Sequence, residues 1–113
     1  MNNQDLNNLK EAISLELGMS LTAMINSKRY SDDEIILVGA YIGAHYTIMS
    51  PEVEITDKQE VLKHIFSIYF QIYSDKFTTL QMARIRVKYL ELLDADPNSI
   101  QSYIQEIVSS FVF

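Results

Sequence analysis

Two histidines, three closely spaced pairs of acids and one run of bases are the side chains of this 113-residue chain whose types could support chemistry. His64 follows Glu60 by one helical turn, which puts the two on one face of a helix. A di-iron carboxylate bundle needs two Glu-x-x-His motifs and two further glutamates. The segment 60–64 (EVLKH) has the wrong spacing and occurs once, so no metal is expected. His45 sits inside an apolar run, where a neutral imidazole bonded to a carbonyl or hydroxyl is the expected state. The chain contains no Gly-x-Ser-x-Gly, no His-Glu-x-x-His and no glycine-rich phosphate loop. With no cysteine, thiol catalysis, disulfides and zinc-thiolate sites are excluded. Neither an enzyme nor a cofactor is expected from these residues.

The acids fall at Asp32 and Asp33, at Glu52 and Glu54, and at Asp94 and Asp96. The first two clusters lie where helices should begin, and there a carboxylate neutralises the positive end of the helix dipole. Residues 1–57 hold nine acids and three bases, whereas residues 58–113 hold six of each, so the net charge of −6 belongs to the first half. An acidic surface repels phosphate and steers basic partners. Asp32, Asp33, Glu34, Glu52, Glu54 and Asp57 are therefore the candidate contacts to a basic protein. Nucleic-acid binding would fall to Arg84, Arg86 and Lys88, in the one stretch that lacks acids. Helical spacing puts Arg84 and Lys88 on one face and Arg86 on another, which disfavours a continuous phosphate-binding surface.

The elements that must position these groups read as helices. Residues 35–51 (IILVGAYIGAHYTIMSP) carry no formal charge, and residues 65–74 (IFSIYFQIYS) repeat the pattern over a shorter length. A helix apolar nearly all the way round belongs in the middle of a fold. The first run is short against the roughly 20 residues that cross a bilayer, and acids flank it on both sides, which disfavours a membrane span. Three glycines and two prolines are too few for the turns of an all-β chain.

Helix one is expected over about residues 4–26, from the spacing of Leu6, Leu9, Ile13, Leu17, Leu21 and Met24, with Gly18 a weak point inside it. Ser31 and Glu34 form a capping box for helix two (about 32–50), which Pro51 ends. A second box over 56–59 (TDKQ) predicts helix three (about 57–74), and helix four follows a polar break over about 79–93. Asp96 and Pro97 start helix five, whose apolar stripe is Ile100, Tyr103, Ile104, Ile107, Val108 and Phe111. A repeat array of about 34 residues per unit is excluded, because the position that far before Pro97 is the mid-helix Lys63. The expected architecture is all-α, a compact single-domain bundle of about five helices with helices two and three at the centre.

Gly39, Ala40, Gly43 and Ala44 put small side chains four apart on helix two, where another helix can approach closely. That neighbour is either a helix of the same chain or a second copy in a homodimer. Phe111 and Phe113, in the apolar end SFVF, either dock on the bundle or insert into a partner. The first residues lack a basic and apolar leader, so a cytoplasmic location is expected. By elimination the expected function is non-catalytic protein binding, as in small inhibitor, immunity, anti-defence or chaperone proteins. A regulatory homodimer and a helical DNA-binding regulator are the alternatives.

Overall fold

The computed structural model describes residues 1–109, the side chain of Val108 excepted. The expectations for Phe111 and Phe113 lie outside the described residues. Five helices, α1 (Asn3–Ser27), α2 (Asp32–Met49), α3 (Ile55–Tyr73), α4 (Thr79–Leu92) and α5 (Pro97–Ser109), make up the fold, with no strand among the described residues. None of these helices is long and apolar enough to cross a membrane.

Each start has a side-chain cause. The Asn2 Oδ1 accepts from the Asp5 amide at 2.8 Å and opens α1. Ser31 and Glu34 cap α2 reciprocally, at 3.2 Å and 3.0 Å, as their spacing predicts. Thr78 and Gln81 do the same for α4, at 3.2 Å and 3.0 Å. Asp96 Oδ1 accepts from Asn98 N–H at 3.1 Å, ahead of Pro97 in the first turn of α5. Helix α3 corrects the sequence reading, since it starts two residues earlier and the 56–59 box is not its cap. Asp57 instead reaches back to the Glu54 amide at 3.0 Å, which places Thr56 inside the first turn.

The buried middle is α2, which packs against each of the other four helices. Its core residues include Ile35, Ile36, Val38, Ala40, Ile42 and Ala44, too many for one stripe, as its uncharged sequence requires. Helix α1 covers one side with Leu9, Ile13, Leu17, Leu21 and Met24, and α5 another with Ile100, Ile104 and Ile107. Tyr41 of α2 stacks on Tyr103 of α5, with ring centroids 3.8 Å apart. Helix α3 is less enclosed than α2. It buries Val61, Ile65, Ile68 and Tyr69 but leaves Ile55, Phe70 and Ile72 exposed.

The small-residue face of α2 is used inside the chain. A Cβ at Gly39 would lie 2.6 Å from Cε2 of Tyr69, and one at Gly43 would overlap Cδ1 of Ile65. Both glycines, with Ala40 and Ala44, are buried. Within the chain, α3 packs against this face at Gly39 and Gly43. The close approach has a polar purpose too. The Tyr69 hydroxyl donates to the carbonyls of Ile35 (2.6 Å) and Ile36 (2.9 Å) and accepts from the Gly39 amide (3.1 Å). It is thereby wedged into the backbone ladder of α2.

The connection after α3 also departs from its sequence reading as a polar break. A short 3-10 turn, Ser74–Lys76, swings Phe77 into the core, 4% exposed. Its ring meets Tyr69 at 5.2 Å and Phe70 at 5.0 Å between centroids, both on α3.

Candidate partner-binding surface

The six acids proposed as partner contacts are not brought together. Asp32, Asp33 and Glu34 sit at the start of α2, and Glu52, Glu54 and Asp57 beyond its other end. An 18-residue helix separates the two clusters by about 25 Å at 1.5 Å per residue. Several of them are also engaged. Asp33 pairs with Arg84, and Glu34 is the capping residue that takes the Ser31 amide and hydroxyl. Asp57 is buried rather than presented, at 7% exposure. Its carboxylate holds the Glu54 amide and lies 3.4 Å from the Met1 ammonium. The amide bond pulls its pKa down, burial opposes this, and the ammonium adds to the lowering. Asp32, Glu52 and Glu54 remain exposed. Glu52 stands in a left-handed turn at φ 55°, and its carbonyl accepts from the Met1 ammonium at 2.9 Å.

The bases divide as their helical spacing predicts. Arg84 is tied to Asp33, while Lys88 pairs with Glu91 at 3.6 Å and lies 5.5 Å above the Tyr41 ring. Arg86 is on the other side of α4, facing α3. Two of the three candidate phosphate contacts are thus neutralised within the chain.

Nδ1 of His45 is buried with no hydrogen-bond partner among the described residues. His64 instead bonds across to α1. Its Nε2 lies 3.0 Å from the Lys10 carbonyl and 2.5 Å from Ser14 Oγ. A carbonyl only accepts, so Nε2 carries the proton and donates. That tautomer leaves Nε2 no lone pair with which to activate Ser14, and the pair acts as a helix-to-helix clasp. Burial lowers the His64 pKa, the Lys10 carbonyl bond opposes this, and the Lys10 charge adds to the lowering. Residues 14 and 64 are 50 apart in sequence, and no local spacing announces their meeting. Among the described residues no three His, Asp or Glu gather as a metal site.

One surface feature, a groove between α3 and α4, was not anticipated from sequence. Helix α4 leans on α2 far more than on α3. Tyr89 anchors it there, fully buried, with its hydroxyl 3.1 Å from Thr47 Oγ1 on α2 and donating to the Lys58 carbonyl of α3 at 3.3 Å. Burial raises the Tyr89 pKa to about 12, against the Thr47 hydrogen bond that lowers it. With α4 held mainly against α2, a groove of about 590 Å³ stays open between α3 and α4. Ile55, Leu62 and Phe66 form one wall, and Tyr89, Leu90 and Leu93 the other. Ile55 is 73% exposed and Leu90 48%. Lys58, Lys63 and Arg86 stand along its edges, with Asp94 the acid of the lining. The sequence signal for this groove was the excess of apolar residues on α3. Ile55, Leu62, Phe66 and Phe70 form a second strip beside the buried one.

No family model matches the chain, and comparison with curated proteins and with solved structures finds no match.

Proposed function

We propose that this chain is a non-catalytic protein-binding module that acts by stoichiometric binding, as inhibitors and small chaperones do, and that it docks its partner in the α3–α4 groove. The observation that carries the reading is the solvent-facing apolar lining of that groove, with Ile55 and Leu90 turned outward beside Leu62, Phe66 and Leu93. Exposed large apolar side chains scattered singly are ordinary, whereas a contiguous set in a concave site marks an interaction surface. The acidic clusters are a weaker basis, since they lie at opposite ends of α2 and are largely occupied with caps and ion pairs.

The test is affinity capture of N-terminally tagged protein from its native cells, comparing wild type with Leu90→Asp. One protein retained at equal stoichiometry by wild type and lost by the variant supports the reading. A partner retained equally by both, or none retained by wild type, refutes it. Circular dichroism of the variant separates lost binding from lost fold.

A further inference from the structure

On the reading that the α3–α4 groove is the docking site, we infer that its occupant is an acidic amphipathic helix of the partner protein. The groove has the shape for a helix. Its α3 wall runs from Ile55 to Phe66, a rise of about 16 Å, the length of three helical turns. Lining residues recur at helical pitch on both walls: 55, 59, 62 and 66 on α3, and 86 and 90 on α4 with 93 at its C-cap. A helix laid along them seats one apolar side chain per turn, at i, i+4 and i+7, between the two walls.

Charge selects the sign of that helix. The chain carries a net charge of −6, yet three cations and one acid line this groove. Lys58 and Arg86 have no ion-pair partner among the described residues, and Lys63 pairs with Glu60 at 3.5 Å at the outer edge. A partner with lysines flanking its apolar stripe would bring like charges together over an apolar floor. Carboxylates on both flanks instead meet Lys58 and Lys63 on one side and Arg86 on the other. A second copy of this chain is a poorer match. Helix α1 turns Leu15 and Met19 outward, with Glu11 the one acid at the same helical spacing.

The experiment uses the full chain and two labelled synthetic peptides of roughly 18 residues, five helical turns. Both carry leucine at i, i+4, i+7 and i+11. One has glutamate on the flanking positions and the other lysine. Fluorescence anisotropy at low and at moderate salt reads their affinities. The glutamate peptide is expected to bind about tenfold tighter. The preference should shrink with added salt and disappear in the double variant Lys58→Glu, Arg86→Glu. Equal affinities, a preference for the lysine peptide, or a preference unchanged in the double variant would overturn the inference. So would concentration-dependent dimerisation that Leu90→Asp abolishes, which would make the second copy the occupant. Loss of the native partner by Leu90→Asp, with no charge preference between peptides, removes the acidic helix and leaves the protein-binding reading standing.

Discussion

Replacing each of the three glycines by alanine, one at a time, should move stability in opposite directions within a single fold. Gly18 lies on α1, and a Cβ there meets nothing within 4 Å. Gly18→Ala gains helix propensity without a clash and should stabilise the protein by about 1 kcal/mol. Gly39 gains the same propensity, but its Cβ would stand 2.6 Å from Cε2 and 2.9 Å from the hydroxyl oxygen of Tyr69. Carbon atoms in contact prefer about 3.5–4.0 Å, so the ring must move. Tyr69 is fully buried and its hydroxyl holds three α2 backbone groups, so movement disturbs packing and hydrogen bonds together. Overpacking costs about 1–3 kcal/mol, and a weakened hydrogen bond about 1 kcal/mol more. Net of the propensity gain, Gly39→Ala should destabilise by about 2 kcal/mol. At Gly43 the new methyl meets the tip of Ile65, which can turn, although that side chain is itself fully buried. Gly43→Ala should therefore fall between the other two. Urea denaturation followed by circular dichroism reads all three. With a slope of roughly 2 kcal/mol per molar, the Gly39 midpoint should fall by about 1 M and the Gly18 midpoint rise by about half that. A Gly39→Ala protein as stable as wild type would refute the wedge of Tyr69 into α2.

Three further outcomes are expected. Tyr69→Phe removes the wedging hydroxyl and leaves carbonyls of Ile35 and Ile36 short of a donor, so it should destabilise by about 1–3 kcal/mol with the helical spectrum intact; a neutral result would show the ladder closing without it. Acid should weaken the fold in two separate windows, because His64 and Asp57 both have pKa values lowered by folding, from 6.5 and 3.8 respectively. The unfolded chain then binds each proton first, so stability present at neutral pH falls as pH drops below about 6.5 and again below about 4. His64→Gln should flatten the upper window alone in urea midpoints measured against pH, and an unchanged upper window would refute the clasp. A double-mutant cycle on Asp33 and Arg84, both exposed, should give a coupling of no more than about 1 kcal/mol that salt reduces; a larger, salt-insensitive coupling would mean that this pair is structural.

The helices were legible because their ends are chemically marked. Ser31 with Glu34, and Asp96 with Pro97, satisfy first-turn amides by local bonds that spacing alone reveals. The central place of α2 followed equally from its lack of charge, since a helix without a polar face must be covered on every side. What stayed hidden depends on partners distant in sequence. Asp57 looked like an exposed first-turn acid, and only the approach of Met1 and the earlier start of α3 make it a buried cap. Phe77, amid polar residues, gave no periodic signal, yet it is buried against Tyr69 of α3. The groove itself arises from a preference between neighbours. Helix α4 packs mainly on α2, and its buried Tyr89 reaches both Thr47 of α2 and the Lys58 carbonyl of α3. Pairwise preferences of this kind are set by tertiary packing rather than by the local pattern.

The most direct test of groove docking is site-specific photocrosslinking in native cells. A photoreactive side chain replaces Ile55 or Leu90 in the groove, Asp32 at the start of α2, or Thr22 on the exposed face of α1. The expected result is one protein adduct formed from positions 55 and 90 and absent from 32 and 22. An adduct formed from Asp32 or Thr22 while both groove positions stay unreacted would contradict the assignment of the α3–α4 groove as the docking site.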